Sequence, residues 1–305
     1  MKHIIMDTAE IQGKVYAGEN VRISYGVKVD ARNNPIHIGR YAMILENSIV
    51  ESTEKYPIEI GQGTVFGHRC MVKGAKIGNF CEIGNGVHIG EGAVLGDYVI
   101  IGEGTYIPSG SVVESKSVIL GKPFRKLRNL TEDDFSMIKS MRSIDLEIKE
   151  SEHLILEEKE EADKVEHFIE FRSISPKLGE GYDFADRVEI IGEVSIGSKA
   201  VISEDVKIIG DYHGSITIGD NVNIGKGTVI HLLPGNDVYI GDNVKIGERC
   251  IIHGCKIEDD VIIEDDSNIC DLSTLGKAAH VIKGTLVAQR TVVESGKKVE
   301  GYPVK

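Results

Sequence analysis

His231, Glu248 and His253 are the residues whose types and spacing could hold a metal ion. His231 closes the run Gly-Thr-Val-Ile-His, and His253 closes Cys-Ile-Ile-His just before Gly254. Two imidazoles and a carboxylate suit a borderline divalent ion such as zinc, iron or cobalt. Such an ion lowers the pKa of a bound water towards 7 and makes a nucleophile available at neutral pH. The plainer reading of the pair is two surface histidines held by hydrogen bonds at a subunit seam. Glu51, His68 and Lys73 stand 180 positions earlier in the same order. A cationic lysine repels metal, so that set favours an ion pair between Glu51 and Lys73 across a seam. Cys250 and Cys255 flank His253, but Cys70 repeats Cys250 in the half without a metal set, so both read as core thiols. His37, His88, His213 and His280 have no partner recognisable from spacing.

The elements that position these residues follow from a period of six. Ile77, Ile83, Ile89, Leu95, Ile101, Ile107, Val113 and Ile119 recur at that interval, and glycine follows many of them. Neither a helix nor a simple strand has this period. A short strand, a turn and another short strand explain it, with three units making one triangular coil of about 18 residues. The aliphatics point inward and stack between coils, and the glycines are expected where the backbone turns sharply. Ile240, Ile246, Ile252, Ile257, Ile263, Ile269 and Leu275 repeat the frame in the second half. Each half takes one five-residue step, from Val72 to Ile77 and from Ile252 to Ile257. An offset of 180 superimposes Ile36 on Ile216 through Pro123 on Pro303, and identifies an internal duplication. His231 and His253 are 22 residues apart, one coil plus four. A four-residue excursion in the loop from Leu232 to Asp237 would stack them on adjacent coils. Glu248 then falls on another facet and would serve a neighbouring subunit.

The fold expected is an all-β solenoid of two tandem parallel β-helix domains, residues 1–129 and 171–305, joined by a charged helical linker, 130–170. Between Thr131 and Glu170 fourteen acidic residues face five basic ones. Thr131 before Glu132, Asp133 and Asp134 predicts a helix start, and Phe135, Ile138 and Met141 share a face that packs on the first solenoid. The polar stretch from Glu157 to Glu166 predicts a second, solvated helix or linker. A formal charge of −13 argues against nucleic acid and anionic membranes. No apolar run approaches the roughly 20 residues needed to span a bilayer. Five cysteines without CxxC argue for reduced thiols. The N-terminal residues lack signal-peptide features, and a cytoplasmic location is expected.

Ile-Gly-x-x-Cys-x-x-His-Gly-Cys at Ile246 to Cys255, after Val-Ile-His at 229 to 231, resembles the gamma-class carbonic anhydrases. Pro123 to Thr131, the sequence Pro-Phe-Arg-Lys-Leu-Arg-Asn-Leu-Thr, resembles that family's passage into its C-terminal helix. The resemblance covers both halves outside the linker. It implies a left-handed β-helix, a homotrimer, a zinc, iron or cobalt ion at each seam, and hydration of CO2 to bicarbonate. His231 and His253 match two ligands from one subunit. Glu248 stands where the family has the neighbour's histidine, which His68 retains in the first half. Asp30-Ala31-Arg32 replaces an Arg-Gly-Asp, Leu45-Glu46 and Gly225-Lys226 replace a Gln-Asp, and Gly210 to Tyr212 departs from the family at the other polar site. The alternatives are a non-catalytic trimeric scaffold and a hexapeptide-repeat acyltransferase that uses an acyl-CoA donor, with His253 or His68 as general base.

Overall fold

The computed structural model describes the chain apart from residues 1–2, 143–146, 149–152, 161–167, 211–213, 234 and 305. It divides into two compact units, Met1–Ala162 and Asp163–Lys305. Each is a solenoid of short strands stacked in parallel, the left-handed hexapeptide-repeat β-helix expected. In the second unit three seven-stranded sheets form the three walls. In the first, the long strand Lys28–Ile38 turns a corner. It pairs with both Ile49–Glu51 and Ile58–Ile60, merging two walls into one eleven-stranded sheet beside an eight-stranded one.

The period-six aliphatics build the core as expected. Ile77, Leu95 and Val113 lie on one ladder, Ile83, Ile101 and Ile119 on the next, and Ile89 pairs with Ile107 on the third. All are buried, as are Ile240, Ile246, Ile252, Ile257, Ile263, Ile269 and Leu275. Each such side chain contributes about 1.5–3 kcal/mol by leaving water. No coil can bury its aliphatics alone, so adjacent coils must fold together.

The glycines after the aliphatics lie at the corners, as expected, but for a different reason than conformational freedom. Gly78 does not take a left-handed conformation. It lies where successive corners nearly touch, and a Cβ there would fall 2.4 Å from the Gly96 backbone. The left-handed residue comes two positions later in the same corner, at Phe80 and at Tyr98, with φ of 52° and 55°. Side chains tie the corners together between coils. The Gln62 N–H donates to Asn79 Oδ1 at 2.9 Å, and the Asn79 N–H to Asp97 Oδ1 at 2.7 Å.

One α-helix, Glu132–Arg142, occurs among the described residues. Its start is a capping box. The Asp134 N–H reaches Thr131 Oγ1 at 3.4 Å, and Thr131 N–H donates back to Asp134 Oδ2 at 2.7 Å. Phe135 meets Tyr98 edge-on at 5.4 Å and Ile138 is fully buried, so this face packs on the first solenoid as expected. The stretch beyond it is not helical where described. Leu154–Ile155 pairs antiparallel with Tyr16 and Ala17, and Lys159 bridges Ile11. Leu156 carries the segment into the first core, and burial at one apolar position overrides the polar composition around it. The rest of that expected helix, 161–166, lies outside the described residues.

Candidate metal centre

Strands Val229–His231 and Ile251–His253 pair in parallel with His231 opposite His253. The loop from 232 to 237 absorbs the excess over one coil, as the spacing predicts. Ile230 and Ile252 between them point into the core, so alternation sends both histidines to the outer face of the wall. Even so, only 7% of His231 and 6% of His253 are exposed. Their ring centroids are 5.2 Å apart at 75°, and one nitrogen of each lies within 4.8 Å of the other. His253 Nδ1 is 2.8 Å from Asp271 Oδ1, which also accepts from Asn236 Nδ2 at 3.1 Å. Burial works to raise the Asp271 pKa. The hydrogen bond and charge of His253, with the Asn236 amide, outweigh it and hold the carboxyl below its ordinary value.

His68 in the first unit has the same kind of neighbour. Its Nδ1 lies 2.7 Å from Glu46 Oε2, with both side chains buried, although the contact is poorly aligned for a hydrogen bond. A carboxylate behind the ring is the usual second partner of a ligating histidine. His68 in the first unit, and His231 and His253 in the second, are each buried imidazoles, a side-chain type that ligates metal. Among the described residues, neither unit by itself brings three such groups within coordination distance. Glu248 is half exposed and accepts from Arg249 Nη1 at 2.7 Å. Glu51 and Lys73 face each other on paired strands of one unit, 3.2 Å apart, with Asp30 on the same ladder. Arg32 binds Asp30 rather than either of them. Cys250 and Cys255 are buried in the second core, and burial pushes the Cys255 thiol up, as core thiols require.

Sequence reasoning missed Glu46, Asp271 and Asn236. The signal for Asp271 was present, since it stands 18 residues after His253, one coil further on. Glu46 stands 22 before His68, at a position noted only as a departure from the resembled family.

Residues 74–109 match the family model described as bacterial transferase hexapeptide (six repeats), and residues 237–269 match the hexapeptide repeat of succinyl-transferase. Gamma carbonic anhydrase 2, mitochondrial, from Arabidopsis thaliana is 32% identical over 137 residues, covering 43% of this chain and 49% of the relative. The chain thus spans about half the length of that curated relative. Among solved structures, a hexapeptide transferase family protein from Anaplasma phagocytophilum is 28% identical. It covers 43% of this chain and 76% of its own, with a TM-score of 0.41. The UDP-N-acetylglucosamine acyltransferase of Francisella novicida is 14% identical and covers 96% of this chain and 67% of its own, with a TM-score of 0.25. With parallel coils and matched repeats in both units, the chain is a hexapeptide-repeat β-solenoid protein.

Proposed function

We propose that the chain is a carbonic-anhydrase-like metalloprotein acting on CO2 and bicarbonate, with His231 and His253 as two ligands of a divalent ion. The observation that carries this reading is the in-register, buried histidine pair with Asp271 behind one ring. His68 is the third ligand in this reading, supplied by another copy of the chain. It is preferred to Glu248, whose carboxylate is half exposed and engaged by Arg249, whereas His68 is buried with a carboxylate at its other nitrogen. Three neutral imidazoles suit zinc, iron or cobalt. The ion, when bound, supplies Lewis acidity and a water-derived nucleophile at neutral pH. The chain's own residues hold the imidazoles in place and keep bulk water from their outer faces. A homotrimer belongs to the same reading.

Metal analysis after loading with zinc, iron or cobalt, and CO2 hydration with and without chelator, test it. Stoichiometric metal and chelator-sensitive hydration, both lost in His231→Ala and His253→Ala, are expected. A loaded protein that retains no metal refutes it. Light scattering reads the assembly. The Glu51–Lys73 pair favours a second reading for the first unit, a scaffold whose own site has lost its metal. Acyl-CoA binding by calorimetry, without metal, would support an acyltransferase instead.

A further inference from the structure

The carboxylate behind His253 is built into the wall with more care than a chance surface contact requires. Asp271 is only 8% exposed and sits one coil beyond His253. Asn236 reaches the same Oδ1 from the loop that brings the two histidines into register. Between them Gly254 leaves the space open, since a Cβ there would fall 2.4 Å from Asp271 Oδ1 and 2.9 Å from Asn236 Nδ2. Gly254 also has φ of 44°, where a side chain is strained. Three segments distant in sequence therefore converge on one oxygen.

An ionised carboxylate only accepts hydrogen bonds, so the Asp271 contact puts the ring proton on Nδ1 of His253. The lone pair then belongs to Nε2. We infer that Asp271, braced by Asn236 and given room by Gly254, is a positioning residue that fixes Nε2 of His253 as the ligand nitrogen. Its purpose rests on the metal reading above, but its geometry stands without metal. The loop from 232 to 237 thus serves twice: it sets the register of the histidines and supplies the amide that orients the carboxylate.

Two measurements test this on the full-length protein. Nitrogen-15 NMR of the metal-free protein reads the His253 tautomer, and chelator competition with zinc and with cobalt reads affinity. The wild type should show Nδ1 protonated and Nε2 bare. Asp271→Ala should lose that single tautomer and bind metal about 10–100-fold more weakly. Asp271→Asn keeps an acceptor and should retain more of both, and Asn236→Ala should fall between. A wild-type His253 protonated at Nε2, or an unchanged affinity in a folded Asp271→Ala, overturns the inference. If Asp271→Ala does not fold, the wild-type tautomer and Asn236→Ala decide. A wild type that binds no metal refutes the proposed function alone, because the tautomer still tests the positioning.

Discussion

Replacing Lys207 by methionine should destabilise the second unit by about 3–5 kcal/mol, the usual cost of stripping one partner from a buried ion pair. Lys207 Nζ lies 2.6 Å from Glu189 Oε2 on the adjacent strand, and each side chain is 1% exposed. The ammonium also donates to the Arg187 carbonyl at 2.9 Å. Methionine keeps most of the apolar stem and removes the charge, so Glu189 stays buried without its cation. Urea unfolding, followed through the second unit's transition, reads the loss. The double variant Glu189→Gln with Lys207→Met should regain most of it, because no bare charge remains. Lys226→Met is the control. Its partner Glu204 lies at an exposed site, with lysine and glutamate side chains 51% and 35% exposed, so the midpoint should stay near wild type. A Lys207→Met cost below about 1 kcal/mol, the range of exposed pairs, would falsify the claim that this wall position is dry.

Further outcomes follow from other sites. Cys70 and Cys81 thiols are pushed up to about 12 by burial, so a thiol reagent at neutral pH should label neither until the chain unfolds. Thr131→Ala should cost the helix Glu132–Arg142 about 0.5–2 kcal/mol, read from its helical circular dichroism. Hydrogen bonds from Arg128 and the Thr131 backbone hold Asp134 well below the carboxylate range. Its folded pKa is the lower one, so its stabilisation is full above about pH 4 and fades as pH falls further, which an acid titration of the helix signal checks. Metal at 100 times its Kd should raise stability by about 2.7 kcal/mol, and a thermal melt of His253→Ala should lack that increment.

The solenoid was legible because its core repeats a single instruction: an aliphatic residue every sixth position. Ile83 and Ile101 need no distant partner to be read as inward-facing. The histidine pair was legible for a related reason, since a coil of fixed length turns sequence separation into stacking once the loop from 232 to 237 is discounted. What escaped depends on neighbours rather than on period. Gly78 reads as a turn residue in sequence, yet its role is set by the Gly96 backbone one coil away. Leu156 reads as one apolar residue in a polar run, but it is buried among the residues of the first core. Glu46 and Asp271 look like surface acids until the coil geometry sets an imidazole beside each.

The parallel stacking makes either solenoid a ruler. Strand neighbours lie about 4.8 Å apart, so His231, His253 and Asp271 occupy three successive graduations of the second wall. Distances between functional groups are thereby set by counting turns of chain, without adjusting any backbone torsion. A change of one whole turn beyond these graduations would shorten the rod and leave their mutual spacing as it was. A change of a few residues within them keeps the register only where a loop takes it up, as the loop from 232 to 237 does between His231 and His253.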